Sequence, residues 1–166
     1  MQAAQTLRNK ILTEAELHLG QPYVWDQAGP NGFDCSGFVH YVLKSVLKDA
    51  FPVKYKLSEI PATYKNQSIY FRDLLEQAHA RIDCRDAKPA DIIFFPAPPF
   101  PDFGQPKPPP NHIGFIKDVH FEEFITAQST KYGVATKPYG RDYWSTRHPQ
   151  CYRNIWVAAA VKANRN

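Results

Sequence analysis

The chain has 166 residues, of which 43% are hydrophobic and 14% are aromatic, and its net charge is +4. This length fits one domain with a full core, and this composition excludes an intrinsically disordered chain. The 20 basic residues are spread along the sequence instead of forming a block. We therefore expect no nucleic-acid partner, although a weak positive charge would favour contact with an anionic surface such as a cell wall.

The N-terminal residues and the cysteines give no sign of a secretory signal, a disulfide framework or a metal site. The first ten residues lack the apolar run of a secretory signal, and no run is long enough to span a bilayer. Either a leader has been removed, or the protein reaches its target by another route. Cys35, Cys84 and Cys151 are widely spaced, which predicts neither a disulfide framework nor a metal site. The sequence does not decide whether Cys84 and Cys151 form a disulfide.

Hydrophobic periodicity predicts helices in the first half of the chain and strands in the second. The helical patterns cover residues 5–19, 35–48 and 69–79. The strand patterns cover residues 91–95, 113–119, 124–128, 134–137 and 156–161. This order predicts an α+β fold in which N-terminal helices pack on a central antiparallel sheet, and residues 1–166 are expected to form a single domain.

A proline-rich segment at about residues 96–111 interrupts the strand patterns and contains eight prolines. Proline removes backbone donors and restricts φ, so this segment is predicted to be a stiff excursion between two strands. One interpretation is a tolerated surface insertion. The other is a wall of a binding cleft, because the segment ends directly on His112 and long loops in compact domains are often functional.

The strongest chemical signal is Asp34-Cys35-Ser36-Gly37, which opens the second predicted helix. Asp34 is a good helix cap, since its carboxylate can accept from the first unpaired backbone N–H groups. A cysteine in the first helical turn lies near the positive end of the helix dipole, which favours the nucleophilic thiolate. The alternative is a small cysteine that is simply buried where a helix starts. His112, which begins a predicted strand, would supply the base that a cysteine nucleophile needs.

Several blocks of the chain together resemble a known family. They are residues 21–25 (QPYVW), 32–39 (GFDCSGFV), 88–95 (KPADIIFF), 112–116 (HIGFI), 124–129 (FITAQS) and 132–134 (YGV). In this order they resemble the NlpC-type cell-wall cysteine peptidases, and the block around Cys35 is the most specific of them. The resemblance implies a papain-like α+β fold and cleavage of the peptide stems of peptidoglycan.

The resemblance also implies roles for individual residues. Cys35 would be the nucleophile and His112 the base, held by a polar residue on the following strand. Direct alignment favours Thr126 for that third role. Gln128 has a longer side chain with a better-placed acceptor oxygen, and we predict that Gln128 holds the base. Tyr23 would line the site and donate to the oxyanion or the substrate.

Other residues near the cysteine motif have less settled roles. Asp34 and Ser36 would bind the amine of a stem peptide. For Trp25, core packing is the stronger interpretation. The family's usual glycine pair is replaced by Asp26 and Gln27, which adds charge and bulk near the cleft.

The expected function is a cysteine endopeptidase that cleaves the γ-D-glutamyl–diamino acid bond through an acyl-enzyme, without a cofactor or metal. The alternatives are a related Cys/His amidase or acyltransferase, and a catalytically idle stem-peptide binding module of a secretion, conjugation or phage tail apparatus. The protein would be bacterial or phage-encoded and made in the cytoplasm without a visible signal peptide. After delivery it would act in the periplasm or at the cell wall, with an inhibitor or immunity protein or a secretion or tail apparatus as a further partner.

Overall fold

The structure is a computed structural model that describes residues 1–64, 66–96 and 112–165. Apart from Pro96, the predicted proline-rich excursion lies outside the described residues. Within the described ranges the chain forms five α-helices and six strands. The helices are α1 (Gln2–Leu17), α2 (Cys35–Leu47), α3 (Gln67–Gln77), α4 (Asp142–Ser145) and α5 (Ile155–Ala163). The strands are β1 (Arg81–Ile82), β2 (Ile92–Phe95), β3 (His112–Asp118), β4 (Glu123–Ser129), β5 (Gly133–Pro138) and β6 (Gln150–Tyr152).

The strands form one antiparallel sheet in the order β1-β6-β2-β3-β4-β5. In the register of β2 and β3, Phe95 lies opposite His112, and in that of β3 and β4, Phe115 lies opposite Ile125. The sheet therefore brings the start of β3 beside the end of β4. These are the two segments from which the predicted base and its orienting residue come.

Hydrophobic side chains cover both faces of this sheet. Phe94, Phe115 and Ile125 belong to the larger core, which includes the buried residues of α1, α2 and α5. Residues that alternate with them, such as Phe95 and Phe124, form a smaller cluster with Trp144 of α4. Alternation along each strand thus fills two layers, as expected for a sheet covered on both sides. The observed architecture confirms the predicted α+β class.

One predicted strand is wrong, because residues 156–161 lie inside helix α5. Trp156, Val157 and Ala160 are buried, and their spacing of one and three residues places them on one helical face. A short apolar run cannot be assigned to helix or strand by periodicity alone, since either form would bury it. The last strand is instead β6, and both it and α4 were missed because they are only three and four residues long.

A disulfide joins Cys84 to Cys151 across 67 residues of sequence. The pairing of β1 with β6 explains how they meet, because Ile82 lies opposite Cys151 and Cys84 follows two residues later. The bond that the sequence left open is therefore formed in this fold. Among the helices of the described residues, none is long and apolar enough to cross a membrane.

Candidate active site

Cys35 is the first residue of α2, and the residue before it caps this helix. Asp34 has an extended backbone, and its Oδ1 accepts a hydrogen bond of 2.6 Å from the backbone N–H of Gly37. A side chain at position 37 would collide with the backbone carbonyl of Gln27, which accepts from the Asp34 N–H at 2.9 Å. The loop before the helix can therefore approach it this closely only because residue 37 is glycine.

The Asp34 carboxylate is buried and surrounded by hydrogen-bond donors. Its Oδ1 accepts from Gly37 and from the Ser36 hydroxyl, and its Oδ2 accepts from the Asp26 backbone N–H and from the Tyr55 hydroxyl at 2.7 Å. Burial raises the pKa of Asp34, and these hydrogen bonds oppose that rise. Since a carboxylate offers about four acceptor positions, a substrate amine would have to displace one of these donors.

The Cys35 sulfur lies between α2, α3 and the start of β3. It is 3.7 Å from the Ser68 hydroxyl, and it also accepts from the backbone of Ile113 and Ser36. Burial and the negative charge of Asp34 nevertheless raise the pKa of the Cys35 thiol to about 11. This direction is opposite to the one that the helix dipole alone predicts, because removal of water and an adjacent carboxylate both disfavour a thiolate.

His112 begins β3 next to Ile113, and its ring is held by Thr126. The Thr126 hydroxyl lies 2.8 Å from His112 Nε2 and 2.8 Å from the Ile113 carbonyl oxygen. A carbonyl can only accept, so the single hydroxyl hydrogen points to Ile113 and the Thr126 oxygen accepts from Nε2–H. This tautomer leaves the lone pair on Nδ1, which makes Nδ1 the basic atom of the ring.

The opposite side of the His112 ring contacts helix α4 and the turn after it. Trp144 stacks on the imidazole with ring centroids 4.7 Å apart, and the Arg147 guanidinium lies 5.8 Å from the Trp144 ring centroid. Burial and the positive charge of Arg147 lower the pKa of His112 to about 3. The imidazole is therefore neutral at physiological pH, and the resting site holds a thiol and a neutral base.

Arg147 itself is buried, with 6% of its surface exposed. Its two terminal nitrogens donate to the Tyr143 hydroxyl and to the Pro96 carbonyl, whereas its Nε has no hydrogen-bond partner. Among the described residues no carboxylate lies within ion-pair distance of it. Within the part of the chain that the structure describes, its charge therefore acts on His112 without a neutralising carboxylate.

Gln128, the predicted orienting residue, does not occupy that position. Its Oε1 is buried and has no hydrogen-bond partner among the described residues, whereas Thr126 contacts His112 directly. The pairing of β4 with β5 changes register between Ala127 and Ser129, and such an irregularity redirects the side chain at that point. The geometry thus favours the alternative given by direct alignment.

Tyr23, Trp25 and Ser36 line a narrow cleft at Cys35, together with Ser68 and neighbouring residues of the α3 start. Burial and the nearby Cys35 and Asp34 raise the pKa of Tyr23, so its hydroxyl remains protonated and able to donate. Trp25 is 67% exposed, which contradicts the core-packing interpretation and makes it a cleft residue.

Sequence reasoning missed four residues around this site, namely Tyr55, Ser68, Trp144 and Arg147. Each lies more than 20 positions from the catalytic residue that it contacts or influences. The one local signal was Asn66, whose side chain caps α3 by accepting from the backbone of Ser68 and Ile69. Among the described residues, no group of three or more His, Cys, Asp or Glu side chains could hold a metal ion.

The profile of the NlpC/P60 family matches residues 20–153. The chain belongs to the NlpC/P60 family. A murein DD-endopeptidase of Escherichia coli, MepH, is 28% identical over 161 residues, which cover 96% of this chain and 49% of that protein. A probable endopeptidase p60 of Listeria grayi is 34% identical over 95 residues, or 57% of this chain and 15% of that protein. The chain spans half or less of the length of these relatives.

Solved NlpC/P60 structures share this fold. The NlpC/p60 domain of the peptidoglycan hydrolase SagA superposes with a TM-score of 0.54 at 22% identity, covering 87% of this chain and 97% of that domain. An NlpC/P60 protein of Bacillus cereus gives a TM-score of 0.58 at 22% identity and covers 88% of this chain and 39% of that one. The resemblance inferred from the motif blocks is therefore confirmed at the level of family and fold.

Proposed function

We propose that this NlpC/P60 domain is a cysteine endopeptidase that hydrolyses peptidoglycan stem peptides. The observation that carries the proposal is the placement of Cys35 at a helix start, where its sulfur accepts a hydrogen bond from the backbone of Ile113. Ile113 follows His112, whose tautomer is selected by Thr126. Family membership supports the substrate class, since relatives include a murein DD-endopeptidase and a probable peptidoglycan endopeptidase, LytE, of Bacillus subtilis.

In the proposed reaction the Cys35 sulfur attacks a peptide carbonyl while His112 Nδ1 takes the thiol proton. Burial raises the pKa of the Cys35 thiol and lowers that of His112, so the resting site favours the neutral thiol and imidazole over the ion pair. Proton transfer therefore accompanies attack instead of preceding it. His112 next protonates the leaving amine, and the resulting thioester is hydrolysed by water to a carboxylic acid and the regenerated thiol.

The oxyanion formed during attack would be stabilised by two donors. The backbone N–H of Cys35 lies in the first turn of α2, at the positive end of the helix dipole, and the Tyr23 hydroxyl shares the cleft with the sulfur. Tyr23 serves this role because its raised pKa keeps it a donor. Ser36 lines the same cleft and would contact the peptide.

Two bonds are candidates for cleavage. The γ-D-glutamyl–diamino acid bond follows from the motif around Cys35 and is our first choice. The cross-link cleaved by a DD-endopeptidase is the second, because the relative that aligns with 96% of this chain carries that name. The filled hydrogen bonds of Asp34 also weaken the case for a substrate whose free amine must reach this carboxylate.

Mass spectrometry of purified wall digested with the wild type and with Cys35→Ala tests the proposal, with Thr13→Ala on the exposed part of α1 as a control. New amino termini on the diamino acid would support the first bond, and loss of cross-linked dimers with intact stems would support the second. Release of whole stems would indicate an amidase. If no sample changes the wall fragments, the enzymatic proposal is wrong, and the alternative of a catalytically idle binding module is favoured.

We also propose action in the periplasm or at the cell wall. The Cys84–Cys151 disulfide supports this location, since such bonds persist in oxidising compartments and are rare in the cytosol. Synthesis in the cytoplasm without a signal peptide stays a prediction. An inhibitor or immunity protein, or a secretion or tail apparatus, as partner likewise stays a prediction.

A further inference from the structure

A groove bordered by lysines lies along the solvent-facing side of α2. One wall is formed by α2 and the turn after it, and the other by residues 52–56. We call it the lysine groove after its four basic residues, Lys44, Lys48, Lys54 and Lys56. His40 contacts this wall by donating from Nε2 to the Val53 carbonyl at 2.9 Å. The two walls are therefore held together by a buried hydrogen bond and form a defined surface.

Among the described residues, the lysines of this groove outnumber the acidic residues that line it. All four lysines are exposed, and within the described ranges none of them has a carboxylate within 4 Å. Asp49 and Glu59 are the acidic residues of the lining, so cations are in excess. An excess of unpaired lysines around a concave surface raises the local concentration of anionic ligands.

The lysine groove lies next to residues that contact the helix cap beside Cys35. Tyr55 and Lys56 line both the groove and a second depression that also includes Asp26. The Tyr55 hydroxyl and the Asp26 backbone both bond to Asp34, the cap of the catalytic helix. The Asp26 side chain also accepts from Gln67, which lines the cleft at Cys35. The lysine groove is therefore separated from the cleft by only one layer of residues, on the side of Asp26 and Tyr55.

We propose that the lysine groove binds carboxylate groups of the peptidoglycan peptide that extends away from the Cys35 cleft. This inference rests on the proposed function, because it takes the cleaved substrate to be a stem peptide. Such a peptide carries the free carboxylate of its γ-linked glutamate and those of its diamino acid and terminal residue. Flexible ammonium groups suit several carboxylates spread along a peptide, since each is a point charge without a fixed geometry.

The test measures binding, so that it does not depend on turnover. The full chain carrying Cys35→Ala is titrated with soluble cross-linked muropeptides at low salt. Adding Lys44→Gln, Lys54→Gln and Lys56→Gln should raise Kd about tenfold. The Kd should also depend less on salt, because salt screens the surface ion pairs that these substitutions remove.

A matched control carries the same charge change elsewhere on the surface, at Lys10, Lys131 and Lys162, each changed to Gln. We expect this control to weaken Kd less than twofold. Equal weakening in both variants would show a general charge effect and overturn the site. No weakening in the groove variant would overturn it as well.

Polyphosphate serves as a second anionic probe that distinguishes carboxylate from phosphate. If the groove variant loses affinity for polyphosphate but not for muropeptides, the proposed carboxylate ligand is wrong. In the active enzyme, the same three groove substitutions should raise KM for intact wall by a larger factor than they change kcat. If the wild type binds muropeptides through the groove but cleaves no wall, the proposed enzymatic function is wrong and the proposed binding site still holds.

Discussion

Replacement of Thr126 by valine tests the arrangement of the catalytic base. Thr126 is fully buried, and its hydroxyl joins His112 Nε2 to the Ile113 carbonyl with two contacts of 2.8 Å. Valine has nearly the same shape but neither donates nor accepts. Thr126→Val therefore removes the atom that selects the Nε2–H tautomer and holds the ring, while the surrounding packing stays filled.

Comparison of Thr126→Val with Thr126→Ser separates the loss of kcat from the loss of stability. Thr126→Val removes the hydroxyl partner of two buried groups, which costs about 1–3 kcal/mol of the free energy of unfolding for each group left unsatisfied. Thr126→Ser keeps the hydroxyl and loses one buried methyl group, which costs about 1 kcal/mol. The valine variant is therefore expected to be the less stable of the two. We expect kcat to fall about 10- to 1000-fold for valine and less than about tenfold for serine, because only valine releases the imidazole.

The assay is steady-state hydrolysis of a stem peptide below the unfolding transition of each variant, which circular dichroism establishes first. Gln128→Leu serves as the comparison on the same strand, and it should change kcat less than about twofold because Gln128 Oε1 has no hydrogen-bond partner. A larger loss of kcat for Gln128→Leu than for Thr126→Val would refute the assignment of Thr126. Equal losses for the valine and serine variants would show that packing, not the hydroxyl, is responsible.

Three further predictions follow from the electrostatics and the disulfide. Alkylation of Cys35 in the resting protein should remain slow at neutral pH and accelerate towards pH 11, since burial and Asp34 raise its pKa; an inflection below pH 8 would contradict this. The pKa of His112 is about 3 in the folded protein and ordinarily 6.5, so the stability linked to neutral His112 is fully present above pH 6.5 and falls as the pH drops towards 3, by on the order of 3 kcal/mol between pH 7 and pH 4. Urea unfolding at pH 7 and pH 4 measures this loss, which should be smaller in Arg147→Met; equal losses in the two proteins would show that Arg147 does not act on His112. Replacing both Cys84 and Cys151 by alanine opens a loop of 67 residues and should cost about 4 kcal/mol of stability, measured by urea unfolding, while the folded protein keeps its kcat; a loss of kcat under folded conditions would show that the bond also shapes the site.

The sequence alone was sufficient for features that depend on residues close together along the chain. The Asp34 cap and the start of the Cys35 helix were predictable, because a cap is formed by residues within one helical turn. The strand that begins at His112 was predictable from alternation after a proline stop. The family followed from the order of these local blocks, since each block encodes a short piece of backbone.

The three-dimensional fold decided the properties that depend on distant residues and on the loss of water. Residues 156–161 became a helix because their apolar face packs on the helical layer, which periodicity could not distinguish from a strand. A local irregularity in β4 selected Thr126 over Gln128 as the partner of His112. Burial and the charge of Asp34 raise the pKa of Cys35, and burial and the charge of Arg147 lower the pKa of His112. The resting pair is therefore neutral, whereas the helix dipole alone predicted a thiolate. Sequence cannot supply these outcomes by itself, because the pKa of a side chain depends on which charges lie near it and on how much water remains around it after folding.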